Sequence, residues 1–340
     1  MAYNIEVADF FRLSRKQNYP ILYPTGTGSE VGERIVLAAP LGTTGALVTP
    51  EGRAAIRVAH QNQAQCRPDI LTTATWTRRI AFREAAIFDD WERASREHFA
   101  LGIQLAREAA ENETISDGHR IYVGLSIGPL ECSENPQALY PAAYLYETHY
   151  QTALIGAGVS DAVNQNGSAD FNAFETFSTE LEAVKAAEAG SAVYEKTGVP
   201  FSMSLKPNKM GKFPDGTIAE TIEQIRGLPG LLALGGNCIT PDEVSGVVDE
   251  IRANYDGVII ISANGDNNHI EESWYRNHSV EAAIAYAKNA EAWLATGALG
   301  IGGCCGTVAD PYGLELAKMI GAVRCERRGS KRLFLSYVAV

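Results

Sequence analysis

Two adjacent cysteines, Cys304 and Cys305, lie in the glycine-rich run Gly302-Gly303-Cys304-Cys305-Gly306-Thr307. A third, Cys238, closes a similar run, Gly235-Gly236-Asn237-Cys238. Thiolates are nucleophiles and soft metal ligands. Zinc binds them tetrahedrally, and a catalytic zinc keeps three protein ligands and one open position. Cys238, Cys304 and Cys305 are therefore expected to converge on one zinc ion, Zn2+. The open position would take a substrate thiol, whose pKa the metal lowers toward neutrality. Three cysteine thiolates leave such a centre net negative, so a bound sulfur stays electron-rich. That suits attack on an alkyl carbon better than hydrolysis. Other readings stay open on these residues alone. Buried cysteines commonly act as small hydrophobes, and Cys304-Cys305 is also compatible with a vicinal disulfide or a thiol–disulfide role. Cys66, Cys132 and Cys325 fall outside such turns and read as structural.

The elements around these turns must bring them together. Ala298-Leu299-Gly300-Ile301 reads as a buried strand before the cysteine pair. Residues 310–323 read as an amphipathic helix after it, with Leu314, Leu316, Ala317 and Ile320 on its apolar side. Gly230 to Gly235 is a strand before Cys238, and Thr240-Pro241-Asp242-Glu243 is a helix start with a capping hydroxyl. Upstream strands are read at 19–24, 69–75, 120–126, 168–174 and 200–205, with another at 256–262. Helices are expected at 4–17, from Pro50, at 83–112, 139–157, 179–196, 217–226 and 279–294. Gly26-Thr27-Gly28-Ser29-Glu30 reads as a flexible turn. Eight strands, each followed by a helix, predict a (β/α)8 barrel whose thiols share the C-terminal rim. A doubly wound open sheet is the alternative. The expected division is one barrel over 1–325 and a C-terminal tail over 326–340. Its apolar end, Leu333 to Val340, would dock on the barrel or on a second copy in a homo-oligomer.

Bulk properties narrow the function. The 340 residues carry a net charge of −12 and 46% hydrophobic residues. The body has no basic run, so nucleic acid is not an expected partner. No run of eighteen apolar residues predicts a membrane span, and the first residues lack a signal-peptide layout. Six cysteines in a chain this long point to a reducing cytoplasm rather than a disulfide framework. The histidines do not cluster: His149 sits in an expected helix, and His269 and His278 flank a charged loop with Glu271 and Glu272.

Taken together, the two cysteine motifs resemble those of the homocysteine S-methyltransferase family, and the resemblance extends over nearly the whole chain. Ser126-Ile-Gly-Pro129 is similar to the family's third-strand motif, and Asp170 through Glu175-Thr176 to its fourth. Residues 202–216 resemble the fifth-strand loop, and Ser262-Ala-Asn-Gly265 the seventh-strand turn. The resemblance implies a zinc-dependent barrel that moves a methyl group from a sulfonium or quaternary ammonium donor to a thiol. Homocysteine, giving methionine, is the first acceptor it implies. It makes Glu175 the holder of the substrate ammonium and places Gly26, Gly28, Thr73, Ser126, Trp76 and Asn264 in the substrate shell. Trp76 would lie over the donor's cation. Departures sit in that shell. Pro24 stands where the family has an amine-binding aspartate, Ala74 replaces an asparagine, and Ser262-Ala263 replaces Tyr-Pro. A different small thiol is the alternative acceptor. A barrel with a non-catalytic zinc or thiol cluster is the alternative from outside enzymology.

Overall fold

A computed structural model describes residues 6–37, 42–76, 91–117, 119–129, 169–208, 210–266 and 278–329. The helix expected at 139–157 with His149, the thiol Cys132, the charged loop with His269, Glu271 and Glu272, and the tail 330–340 lie outside them.

Strands form where apolar, β-branched runs can be buried on both faces. They are β1 Ile21–Leu22, β2 Ile70–Thr72, β3 Tyr122–Ile127, β4 Phe171–Phe177, β5 Phe201–Leu205, β6 Leu231–Asn237, β7 Val258–Ala263 and β8 Gly300–Gly303. All neighbours are parallel, in the order β1-β8-β7-β6-β5-β4-β3-β2. Asp69 bridges the remaining seam between β1 and β2. Its N–H donates to Leu22 O at 2.9 Å, and its carboxylate accepts from Leu22 N at 2.7 Å. The sheet thus curls into the expected (β/α)8 barrel.

The helices are α1 Val7–Gln17, α2 Thr27–Gly32, α3 Gly42–Gly45, α4 Pro50–Gln65, α5 Trp91–Asp117 and α6 Glu180–Thr197. They continue with α7 Ile218–Ile225, α8 Val244–Asn254, α9 Val280–Thr296 and α10 Leu314–Gly329. Hydroxyl caps fix several starts: Thr49, Thr179, Thr217 and Ser279 each accept a backbone N–H from the first helical turn. Helix α1 closes the barrel floor by burying Val7 and Phe11 against Ile21, Phe171 and Ile260. A larger layer, with Phe174, Phe201, Ile261 and Ile301, fills the space between sheet and helices.

Three local expectations are corrected. Residues 27–32 are helical, not a flexible turn, because Ser29 and Glu30 bury side chains that bond the last strand's turn. Helix α8 starts at Val244, since Glu243 folds its carboxylate back to the Thr240 N–H and hydroxyl, both at 2.7 Å, which makes 241–243 a turn. The last helix starts at Leu314 after a wide π-turn over Ala309–Gly313. Leu316 and Ile320 are buried as expected, whereas Leu314, the first residue of the helix, is 39% exposed. That helix also runs beyond residue 325, into the stretch expected to be tail, and ends at Gly329.

Candidate functional site

β6 delivers Cys238 and β8 delivers Cys304 and Cys305 to the same rim, with only β7 between them. Backbone bonds to β7 set the depth of both turns. Cys238 N–H donates to Ser262 O at 3.0 Å, Cys304 N–H to Ala263 O at 2.7 Å, and Gly265 N–H to Cys305 O at 2.8 Å. Cys238 itself takes the left-handed conformation, with φ +56°. A non-glycine residue there costs on the order of 1–3 kcal/mol, which the surrounding ladder must offset. The conformation turns its sulfur toward the other pair.

The ligand atoms of Cys238, Cys304 and Cys305 all lie within 4.8 Å of one another. Sulfur–sulfur distances are 3.5 Å for Cys238–Cys305 and 3.8 Å for Cys304–Cys305. Zinc–thiolate bonds of about 2.3 Å at tetrahedral angles place sulfurs about 3.8 Å apart, so the donor set fits that ion. The electrostatics agree. The thiols of Cys304 and Cys305 are both pushed well above the usual range, first by their hydrogen bonds to the Cys238 sulfur and further by burial. Three sulfurs this close cannot all ionise unless a cation joins them. All three cysteines are free and keep some exposure to the barrel mouth.

A polar chain runs across the mouth beside the thiols. The Thr75 hydroxyl donates to Ser126 O at 2.7 Å, and Thr73 Oγ1 accepts from Ser126 N at 3.0 Å. Ser126 Oγ in turn donates to the Glu175 carboxylate in a short hydrogen bond. A register shift between Phe174 and Phe177 in β4 re-aims Glu175 inward. Asn237 locks the next residue: its Oδ1 accepts from Thr176 N at 2.7 Å and its Nδ2 donates to Thr176 Oγ1 at 2.8 Å. The strand end carrying Cys238 thereby holds the one carrying Glu175. Burial pushes the Glu175 carboxyl up to about 7, the Ser126 bond pulls it down, and the charge of Cys238 adds a rise. Trp76 sits alongside, its indole N–H donating to Glu175 O at 3.4 Å. Asn264, between the two cysteine turns, is buried, and its Oδ1 has no partner among the described residues. Gly26 and Gly28 lie at the start of α2, and the Gly26 N–H is used by Thr307 Oγ1 at 2.9 Å.

Sequence reasoning missed several contributors. Ser29, Glu30 and Thr307 bond the cysteine turn, and only their nearness to glycine runs marked them. Tyr286, from α9, brings its hydroxyl to Ala263 O at 3.0 Å and Gly302 O at 2.8 Å, tying β7 to β8, and nothing in its local pattern shows that. The Tyr23 phenol lies within the barrel beside Ser202 and the Glu175 charge, and burial raises its pKa.

The family model for homocysteine S-methyltransferase matches residues 24–311, which begins just after β1 and spans β2 to β8 with the strand ends just described. The chain belongs to the homocysteine S-methyltransferase family. It is a methyltransferase by that membership. No curated protein matches it by sequence. Among solved structures it is similar to the homocysteine methyltransferase MmuM from Escherichia coli in its metallated form. That match has 20% identity and a TM-score of 0.69, covering 90% of this chain and 98% of that one. The apo form of MmuM matches at 20% identity and a TM-score of 0.64, over 88% and 95%. A methyltransferase from Methanosarcina mazei matches at 13% identity and a TM-score of 0.52, over 94% and 98%. These likenesses show a shared barrel fold.

Proposed function

We propose that this family member carries zinc on Cys238, Cys304 and Cys305 and methylates a small thiol, with homocysteine as the first candidate. The methyl donor is a small sulfonium or quaternary ammonium compound. The observation that carries the reading is the set of three sulfurs within 4.8 Å at the barrel mouth, a donor set whose thiolates a shared cation would hold together. A zinc ion there supplies the positive charge that ionises a bound thiol near neutral pH.

The chain's own residues then divide the work. Glu175, held by Ser126 and by the Asn237–Thr176 lock, takes the ammonium of an amino-acid thiol, and that cation draws its carboxyl into the ionised form. The Trp76 indole, fixed at the Glu175 carbonyl, offers a face to the donor's positive charge. The barrel walls align thiol and methyl carbon, and alignment supplies much of the rate gain.

A second acceptor class, another small thiol, is favoured by one specific feature. Pro24 and the buried Ala74 give no side-chain hydrogen bond at positions where the family carries an aspartate and an asparagine. The test is to measure metal content, then incubate the zinc-loaded protein with homocysteine and each of betaine, S-methylmethionine, dimethylsulfoniopropionate and S-adenosylmethionine. Methionine formed from one donor supports the homocysteine reading. Zinc bound with no thioether from any donor removes it and moves the search to other thiols.

A further inference from the structure

The elbow between β1 and α2 grips the cysteine turn directly. Gly303 N–H donates to Pro24 O at 2.9 Å. Gly306 N–H donates to Ser29 Oγ at 2.8 Å, and Ala309 N–H to Glu30 Oε2 at 2.8 Å. Thr307 Oγ1 accepts from Gly26 N–H and donates to Cys304 O at 2.7 Å. The approach is so close that a Cβ on Gly26 would stand 2.0 Å from Cys304 O. Glu30 is itself buried, and its other oxygen accepts from Asn62 Nδ2 at 2.9 Å and faces Arg34 at 3.1 Å.

We infer that Ser29 and Glu30 are positioning residues for the metal, holding the Cys304-Cys305 turn in its ligand geometry before any ion binds. This inference rests on the zinc reading of the proposed function. A cysteine sulfur is one torsion away from its backbone, so three staggered positions are all it can reach. Where the turn goes, both sulfurs go. Ser29 and Glu30 anchor its downstream side at two buried N–H groups that have no other partner among the described residues. Asn62 and Arg34 hold the other Glu30 oxygen, which orients the carboxylate toward the Ala309 N–H. Neither side chain is a ligand, and neither is needed to satisfy a strand ladder. Their effect falls on the turn that carries two of three sulfurs. Outer partners of this kind commonly change metal affinity 10–100-fold.

The test measures zinc affinity by competition with a chromophoric chelator, on the full chain, for the natural protein and for Ser29→Ala, Ser29→Thr and Glu30→Gln. Thermal unfolding of each metal-free protein is followed in parallel, with the cobalt–thiolate absorption of each as a spectroscopic check. Ser29→Ala and Glu30→Gln are expected to weaken zinc about 10–100-fold and to alter the cobalt band. Ser29→Thr, which keeps the hydroxyl, should stay near the natural protein. Folded variants with unchanged zinc affinity overturn the inference while leaving the zinc reading intact. A natural protein that binds no zinc at all overturns both. Should Glu30→Gln fail to fold, Ser29→Ala alone decides, because it removes one acceptor and no buried charge.

Discussion

Cys305 sits at the centre of the sulfur cluster, 3.5 Å from Cys238 and 3.8 Å from Cys304. Cys305→Ala removes the sulfur common to both contacts. It is expected to reduce bound zinc to under about a tenth of an equivalent and thiol methylation by about 100-fold or more, read by metal analysis and product assay. A second residue sets behaviour in acid. His60 in α4 is fully buried, Nε2 has no partner among the described residues, and burial lowers its pKa from 6.5 to about 4. A group whose folded pKa is depressed is protonated by the unfolded chain first. Stability is therefore intact above about pH 6.5 and falls as pH drops toward 4, by up to about 3 kcal/mol. Denaturant midpoints between pH 7 and 4 should show that slope, and His60→Gln should flatten it. An unchanged slope in the variant would assign the acid loss to other groups. The three thiols of the candidate metal centre were legible in the sequence because cysteines in glycine-rich strand ends carry their chemistry in their type. The role of Glu30 was not, since an acid next to a glycine run looks the same whether it is solvated or bonded to Ala309.

At the scale of elements, most strands and helices follow from local patterns. The run Val258 to Ala263 is buried throughout, and the threonine and serine caps stand where the helices begin. Failures fall at joints. Residues 27–32 looked like a glycine turn but form a helix, because its stabilising partners, Gly306 and Ala309, lie far along the chain. The close packing of this elbow makes a sharp prediction. Gly26→Ala places a methyl against the Cys304 carbonyl at 2.0 Å, and neither backbone can yield without moving its strand. A loss of about 1–3 kcal/mol is expected by urea unfolding, together with weaker zinc binding. A variant as stable as the natural protein, with full zinc affinity, would show that the elbow is pliant. Asn237 belongs to the same scale: its amide spans two strand ends, which no reading of β6 alone could reveal.

Over the whole molecule, the barrel closes through a charged seam rather than a plain ladder. Asp69 bonds both backbone groups of Leu22 and pairs with Arg324, which also donates twice to Pro20 O and stacks 4.3 Å from the Tyr19 ring. The last helix thus staples the first strand to the second. Asp69→Ala leaves the Arg324 guanidinium in a mostly buried place without its carboxylate. A loss of about 3 kcal/mol is expected in urea unfolding, and Asp69→Ala combined with Arg324→Met should recover part of it. Losses that simply add would mean the pair is not coupled. No helix among the described residues is long and apolar enough to cross a membrane. The sequence by itself determined the strand and helix alternation, the eight-fold count and the identity of the three thiols. Those depend on side-chain periodicity and on residue type, which are local. Only the tertiary structure decided the sulfur spacings, the left-handed turn at Cys238, the grip of Ser29 and Glu30, and the Asp69 seam. The Cys238–Cys305 spacing, the grip and the seam join residues tens to hundreds of positions apart, and such contacts exist only once the chain has closed on itself.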